Sequence, residues 1–135
     1  MPKTIGNIEL YMGPQQLGGP DNLLQAIVEF IDGAQKRLFI AVQELDCRPI
    51  AEAIIRARQR KVQVKIVLEA DYLHAKRVQS DPFAPAGAHE INRELHGALL
   101  RANIRTNADF NPKIFHQKFL IHPVRFVLCL GPLLY

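Results

Sequence analysis

The sequence predicts a single α/β domain, residues 1–135, with a mainly parallel or mixed sheet flanked by helices. An apolar run of strand length, RLFIAVQEL at 37–45, precedes a helical pattern, and a second alternating run follows at 62–70. A strand, a helix and a strand in this order form a βαβ unit with parallel strands and a right-handed crossover. The length of 135 residues and the 48% hydrophobic content suit one domain with its own core.

The elements before this unit are a short strand and a helix. Residues 8–13 alternate apolar and mixed side chains and lead into a turn-rich loop, GPQQLGGP. Asp21 is expected to cap the helix NLLQAIVEFIDGAQ, in which apolar residues recur at helical spacing until Gly33. Pro49 places the first turn of the second helix, because proline is tolerated there.

The second half of the chain predicts one more helix and further strands. Residues 71–88 are irregular, and helical spacing resumes over 90–103. IRTN predicts a short strand and NADFNP a turn. A buried strand that carries a chemical motif is predicted at 114–122, and an atypical apolar tail follows at 123–135.

Charge and cysteine content favour contact with phosphates in a reducing compartment. The net charge is +4 and the pI is about 9.3, which suits nucleic acid or anionic lipid headgroups. The densest basic run, 56–65, is interpreted as the solvated end of a helix rather than a nucleic-acid patch. Cys47 and Cys129 predict neither a disulfide framework nor a metal site. Without a signal peptide or a membrane span, we expect a cytoplasmic protein that needs no cofactor and does not insert stably into membranes.

The chemical motif is His116-Gln-Lys118 within FHQKFLIHP. In an extended strand the two side chains share a face, with Cα atoms about 7 Å apart, so one phosphate can contact both. An imidazole can attack phosphorus or carry a proton, and an ammonium can hold the non-bridging oxygens. The alternative is that His116 is an ordinary core histidine. Lys118 on the same face argues against this, because lysine is almost never buried unpaired.

The other histidines are weaker candidates. HAKRVQSD, from His74 through Lys76 to Asp81, fits the pattern His-x-Lys-x-x-x-x-Asp, but its polar, proline-containing surroundings predict a solvated loop. His89 and His96 lie seven residues apart and are interpreted as surface helix residues rather than metal ligands. His122 is either a neighbour of the site or a strand-end residue.

The segment KIFHQKFLI and the order of elements before it resemble the N-terminal catalytic half of the phospholipase D superfamily. The segments LYMGP, LFIAVQELD, VQVKIVLEAD and NADFNPKIFHQKFLI are similar to that half, so the resemblance covers residues 8–121. It implies a phospholipase D-like half domain and a metal-independent, two-step reaction on a phosphodiester. One histidine forms a phosphohistidine and a second protonates the leaving group, each from its own His-x-Lys motif. His116 would be the nucleophile or its acid partner, and Lys118 would bind the phosphate.

The chain departs from the family pattern in two ways that bear on activity. The family's aspartate falls at Pro123, where it would be expected to orient the histidine, and the Gly-Ser-x-Asn stretch that usually follows is absent. One credible motif also implies a partner, either a homodimer or another polypeptide that supplies a second half. The resemblance therefore implies a hydrolase of phospholipid or nucleic acid. The alternative is a catalytically impaired phosphate- or nucleic-acid-binding module left by truncation or frame disruption of a two-motif enzyme.

Overall fold

The computed structural model describes residues 2–74, 81, 83, 89–123 and 125–128. Ten helices and strands follow one another along these residues: β1 (Lys3–Ile5), β2 (Ile8–Leu10), α1 (Leu23–Asp32), β3 (Arg37–Val42), α2 (Arg48–Gln59), β4 (Gln63–Glu69), α3 (Glu90–Arg101), β5 (Thr106–Asp109), β6 (Lys118–His122) and β7 (Arg125–Leu128). Two short 3-10 helices, Gln15–Leu17 and Ala70–Tyr72, lie between them.

The main sheet has five strands in the order β5-β4-β3-β6-β7. Strand β4 pairs in parallel with β3 and with β5, whereas β6 pairs antiparallel with both β3 and β7. The fold is therefore α/β with a mixed sheet, as the sequence predicts, and β3, α2 and β4 form the predicted βαβ unit. Strands β1 and β2 form a separate antiparallel hairpin, of which the sequence predicted the second strand only.

The core lies between one face of the sheet and the three helices. Ile40 pairs with Ile66 on one side and Leu120 on the other, which puts all three on the same face. The buried residues of the helices pack against this row: Ile27, Phe30 and Ile31 of α1, Ile50, Ala53, Ile54 and Ala57 of α2, and Leu95 and Leu99 of α3. On the opposite face Lys65 is exposed, and Phe39 and Ile121 are only partly buried. The described helices thus cover one face of the sheet.

Helix α1 begins one residue later than predicted. Asn22 is its N-cap, and the Asn22 side-chain oxygen accepts a hydrogen bond from the Gln25 amide at 3.0 Å. The buried Asp21 carboxylate instead accepts from the Met12 amide at 2.8 Å. The predicted cap at Asp21 is wrong because a contact nine residues away along the chain takes its carboxylate.

The motif strand is shorter than the predicted 114–122, because β6 begins at Lys118. The backbone before it is held by side chains rather than by a neighbouring strand. Asp109 accepts from the Asn111 amide and Asn111 accepts from the Lys113 amide, each at 3.0 Å. Such local bonds compete with strand pairing. Residues 110–117 therefore form a loop, and His116 lies at its end.

A core substitution tests this packing. Ile54 of α2 is fully buried, whereas Leu17 is 85% exposed. We expect Ile54→Ala to lower the free energy of unfolding by about 2–5 kcal/mol, through lost burial and the cavity left behind. Leu17→Ala should change it by less than about 0.5 kcal/mol. Urea unfolding followed by circular dichroism measures both, and equal effects would contradict the assigned core.

Acid should destabilise the fold partly through His122. Burial, and then the charge of Arg125, lower the pKa of His122, whose ring lies 4.5 Å from that of Phe30. In the unfolded chain His122 binds a proton near pH 6.5, whereas in the folded chain it binds one only at lower pH. The free energy of unfolding therefore falls as the pH drops below about 6.5. His122→Phe should reduce the fall in melting temperature between pH 7 and pH 5. Identical pH dependence in the two proteins, each normalised to its value at pH 8, would contradict this role.

Candidate active site

His116 and Lys118 meet at the end of β3. The Lys118 ammonium nitrogen lies 3.1 Å from His116 Nε2. Lys118 pairs with Val42, the last residue of β3, and the Gln43 amide donates to the Gln117 carbonyl at 3.1 Å. His116 is exposed and Lys118 is partly buried. The two groups are therefore close together, as the motif predicts, and the interpretation of His116 as a core histidine is wrong.

The 3.1 Å contact joins the Lys118 ammonium to the ring nitrogen Nε2 of His116. When the ammonium donates this bond, Nε2 is the acceptor and the ring proton resides on Nδ1. The Nε2 lone pair is the one that can attack an electrophile. A phosphate oxygen would compete with Nε2 for the ammonium, since charge-assisted bonds to anions are the stronger ones. An arriving phosphate would thus place its phosphorus beside a freed imidazole nitrogen.

A buried carboxylate holds the loop that carries His116. Glu69, the last residue of β4, is 3% exposed. Its Oε2 accepts from the Phe115 amide at 2.5 Å and its Oε1 accepts from the Asp71 amide at 3.3 Å. Glu69 therefore ties the end of β4 to the residue immediately before His116. Glu69 was not among the site residues predicted from the sequence. The available signal was a carboxylate at the carboxyl end of a parallel strand, the edge where sites in α/β sheets form.

A second polar cluster lies beyond the end of β3. His89 Nδ1 lies 2.8 Å from a Glu44 carboxylate oxygen, and the His89 ring stacks on that of Tyr72 with centroids 3.7 Å apart. The Tyr72 hydroxyl accepts from the Gln43 side-chain amide at 2.7 Å. The interpretation of His89 as a surface helix residue is wrong, because it precedes α3 and is bonded within this cluster. Gln43 also contacts the motif through the Gln117 carbonyl, so the cluster adjoins the His116 loop.

Asn92 fixes this cluster to the core. It is fully buried; its side-chain oxygen accepts from the Leu45 amide at 2.7 Å, and its amide donates to the Tyr72 carbonyl at 3.0 Å. Asp46 follows Leu45 in the chain, and burial, and then the negative charge of Glu44, raise the pKa of Asp46. Asn92 of α3 thus ties the chain after β3 to the 3-10 helix Ala70–Tyr72.

Position 123 lies at the wrong end of β6 to orient His116. Lys118 pairs with Val42 at one end of the strand, and His122 pairs with Arg125 at the other, just before the turn at Pro123. Four residues of extended strand separate the Cα atoms of Lys118 and His122 by about 13 Å. A carboxylate at 123 therefore could not bond to His116, and that expectation of the sequence analysis is wrong. His122 is a strand-end residue rather than a neighbour of the site.

The remaining candidates lie elsewhere or outside the described residues. His74 and Asp81 are exposed, and Asp81 accepts from the Phe83 amide at 3.0 Å. Lys76, the lysine of that pattern, lies outside the described residues, as does Cys129. His96 contacts the Thr106 hydroxyl, and burial lowers the pKa of His96.

The described residues show neither a cluster of metal ligands nor a helix that could span a membrane. Within the described ranges no group of three or more His, Cys, Asp or Glu side chains is placed to hold a metal ion. The described helices all fall short of the length and apolar character that crossing a bilayer requires.

Comparison with known proteins identifies the family of the chain and a solved structure with a similar fold. Residues 27–130 match the family described as cardiolipin synthase, PLD-like domain. Among solved structures the chain is similar to Nuc, a phospholipase D family member from Salmonella typhimurium, with a TM-score of 0.57 and 21% sequence identity. The similarity covers 73% of this chain and 56% of the Nuc chain, so the chain spans about half of that relative. No curated protein sequence gives a significant match.

Removal of the Glu69 carboxylate tests its hold on the motif loop. In Glu69→Ala the Phe115 and Asp71 amides lose the carboxylate as an acceptor; both hydrogen bonds are partly buried, and the loss costs about 1 kcal/mol per bond or more. We expect amide hydrogen exchange at Phe115 to accelerate about tenfold or more by NMR. Glu69→Gln, which keeps one carbonyl oxygen, should retain protection at one of the two amides.

Glu52→Ala is the matched control, because Glu52 is an exposed carboxylate that pairs with Arg48 on the surface of α2. It should leave exchange at Phe115 unchanged. Undiminished protection of the Phe115 amide in Glu69→Ala would show that Glu69 does not hold the loop.

Proposed function

The chain belongs to the family of phospholipase D-like domains, and on this premise we propose that it is a metal-independent phosphodiester hydrolase acting through His116 and Lys118. One observation carries the proposal: the Lys118 ammonium lies 3.1 Å from His116 Nε2 on an accessible edge of the sheet. A cation that binds phosphate oxygens thus stands beside a nucleophile that can reach phosphorus.

The proposed reaction has two steps. His116 Nε2 attacks phosphorus, a P–N bond forms, and the P–O bond to the leaving alcohol breaks. The leaving oxygen takes a proton from a general acid. Water then gives a proton back to that general acid, now a base, and attacks phosphorus; the P–N bond breaks, and a phosphomonoester and a free imidazole remain. Throughout, Lys118 donates to the non-bridging oxygens, whose negative charge it stabilises. The hydrogen bond from the Phe115 amide to Glu69 keeps the loop in place while the Lys118 ammonium leaves His116 Nε2 and binds a phosphate oxygen.

The general acid is proposed to come from a second His-x-Lys half, in a homodimer or on another polypeptide. One feature supports a partner. The described residues bring one histidine and one lysine together in this way, whereas the two-step reaction uses two histidines.

Phospholipid and nucleic acid both fit the proposed chemistry, since each contains a phosphodiester. The +4 net charge favours nucleic acid. Phe110 and Ile114, in the loop that carries His116, are 80% and 55% exposed and would suit an acyl chain.

Hydrolysis of bis(p-nitrophenyl) phosphate in EDTA tests the proposal. The wild-type protein should release p-nitrophenol, and the rate per chain should rise with protein concentration if two copies form the site. His116→Ala should lower kcat by about a thousandfold or more, because the nucleophile is lost. Lys118→Ala should lower it by about a hundredfold, the usual effect of removing one group that stabilises the developing charge.

His74→Ala is the matched control, since it alters the other His-x-Lys pattern at an exposed position. It should retain wild-type activity. Activity lost at His74 but kept in His116→Ala would move the site to that pattern. No hydrolysis at any concentration, together with phosphate binding that depends on Lys118, would favour the alternative of a non-catalytic phosphate-binding module.

A further inference from the structure

A basic groove lies away from His116, where α2 ends and β4 and β5 begin. It is an open concavity of about 670 Å³, lined by Arg58, Lys61, Val62, Gln63, Val64, Lys65, Asn103, Arg105 and Asn107. Four of these side chains are cationic, three carry amides and none is acidic. The groove therefore concentrates positive charge around a concave surface.

The cations of this groove form no ion pair with a carboxylate among the described residues, unlike five other arginines. These five pairs are Arg48 with Glu52, Arg56 and Arg60 with Asp32, Arg93 with Glu90, and Arg125 with Glu9. Among the described residues no such pair is formed by the four groove cations. Arg58 donates to the Asn103 carbonyl, and the Lys65 ammonium lies 5.5 Å from the centre of the Phe39 ring. Their charge is thus available to a ligand.

This arrangement divides the basic run 56–65 into two groups. Arg56 and Arg60 face α1, where they neutralise Asp32. Arg58, Lys61 and Lys65 face the groove together with Arg105, which comes from the segment before β5. Residues distant in sequence therefore complete a surface that the run alone does not show, and the interpretation of the run as only a solvated helix end is incomplete.

We propose that the basic groove binds the phosphate backbone of duplex nucleic acid. Guanidinium, ammonium and amide groups are the side chains that contact phosphate oxygens in such complexes. Single-strand binding surfaces add aromatic platforms for the bases, and this lining contains no aromatic residue. Insertion into a membrane surface requires exposed apolar side chains. The apolar residues that line the groove are the buried Val62 and the partly buried Val64.

The groove is separate from the His116 site but shares a strand with it. Lys65 and Glu69 lie on the same face of β4, about 13 Å apart along the strand. The Glu69 side chain binds the Phe115 amide beside His116. A bound duplex could therefore extend from the groove toward the site. Binding in the groove does not require hydrolysis at His116, so the two proposals stand or fall separately.

Fluorescence anisotropy with a labelled duplex oligonucleotide, in EDTA and over a series of salt concentrations, tests this proposal. Contacts to about four phosphates predict a slope of log association constant against log salt between about −3 and −4. Lys65→Glu/Arg105→Glu should weaken binding about tenfold or more and bring the slope to about −2. Lys65→Gln/Arg105→Gln should act in the same direction and less strongly. Circular dichroism confirms that each variant is folded.

Lys3→Glu/Arg48→Glu is the matched control, because it changes the net charge equally at two exposed positions outside the groove. It should lower affinity less than the groove variant does. Equal losses would overturn the proposal, since net charge alone would then explain binding. Binding of anionic vesicles that depends on Lys65 and Arg105, without duplex binding, would overturn it in favour of a lipid surface. His116→Ala should bind the duplex as wild type does, whatever its effect on hydrolysis.

Discussion

The bond between the Glu69 carboxylate and the Phe115 amide is the contact on which the arrangement of the site depends. Residues 110–117 pair with no neighbouring strand of the described sheet, so their backbone groups need other partners. Glu69 supplies one from the end of β4, and the Gln43 amide fixes the next carbonyl, that of Gln117, from the end of β3. A loop that would otherwise be free to move is held at two adjacent points, one on each side of His116.

The order of strands explains why these partners are available. Strands β3 and β4 are parallel, so their carboxyl ends reach the same edge of the sheet. At this edge Gln43 directly follows β3, and Glu69 is the last residue of β4. Strand β6 is antiparallel to β3, so its first residue, Lys118, begins at that same edge. Mixed pairing thus places the first residue of β6 at the same edge as the last residues of β3 and β4. An all-parallel sheet would have placed the start of β6 at the opposite edge.

The sequence predicted what depends on local pattern and missed what depends on distant contacts. Alternation and helical spacing predicted β3, α2 and β4, and the spacing of two residues predicted that His116 and Lys118 meet. The roles of Glu69 and His89 were missed, because their partners Phe115 and Glu44 lie 46 and 45 residues away. The start of β6 was also missed. Apolar residues within 113–117 follow a strand-like pattern, but the Lys113 and Phe115 amides donate to side chains and not to a neighbouring strand. The basic groove was also missed, because Arg105 lies 40 or more positions after the basic residues 58–65 that it joins.

The position of Pro123 changes what the departure from the family pattern means. An aspartate there was expected to set the tautomer of His116, so its loss suggested impaired chemistry. In this fold residue 123 begins the turn between β6 and β7, at the far end of the motif strand. Aspartate and proline are both favoured in turns, for different reasons of backbone geometry. The contact that His116 Nε2 makes is instead with the lysine two residues later, whose ammonium lies 3.1 Å away. A proline at 123 therefore alters the turn and leaves the contact between His116 and Lys118 intact.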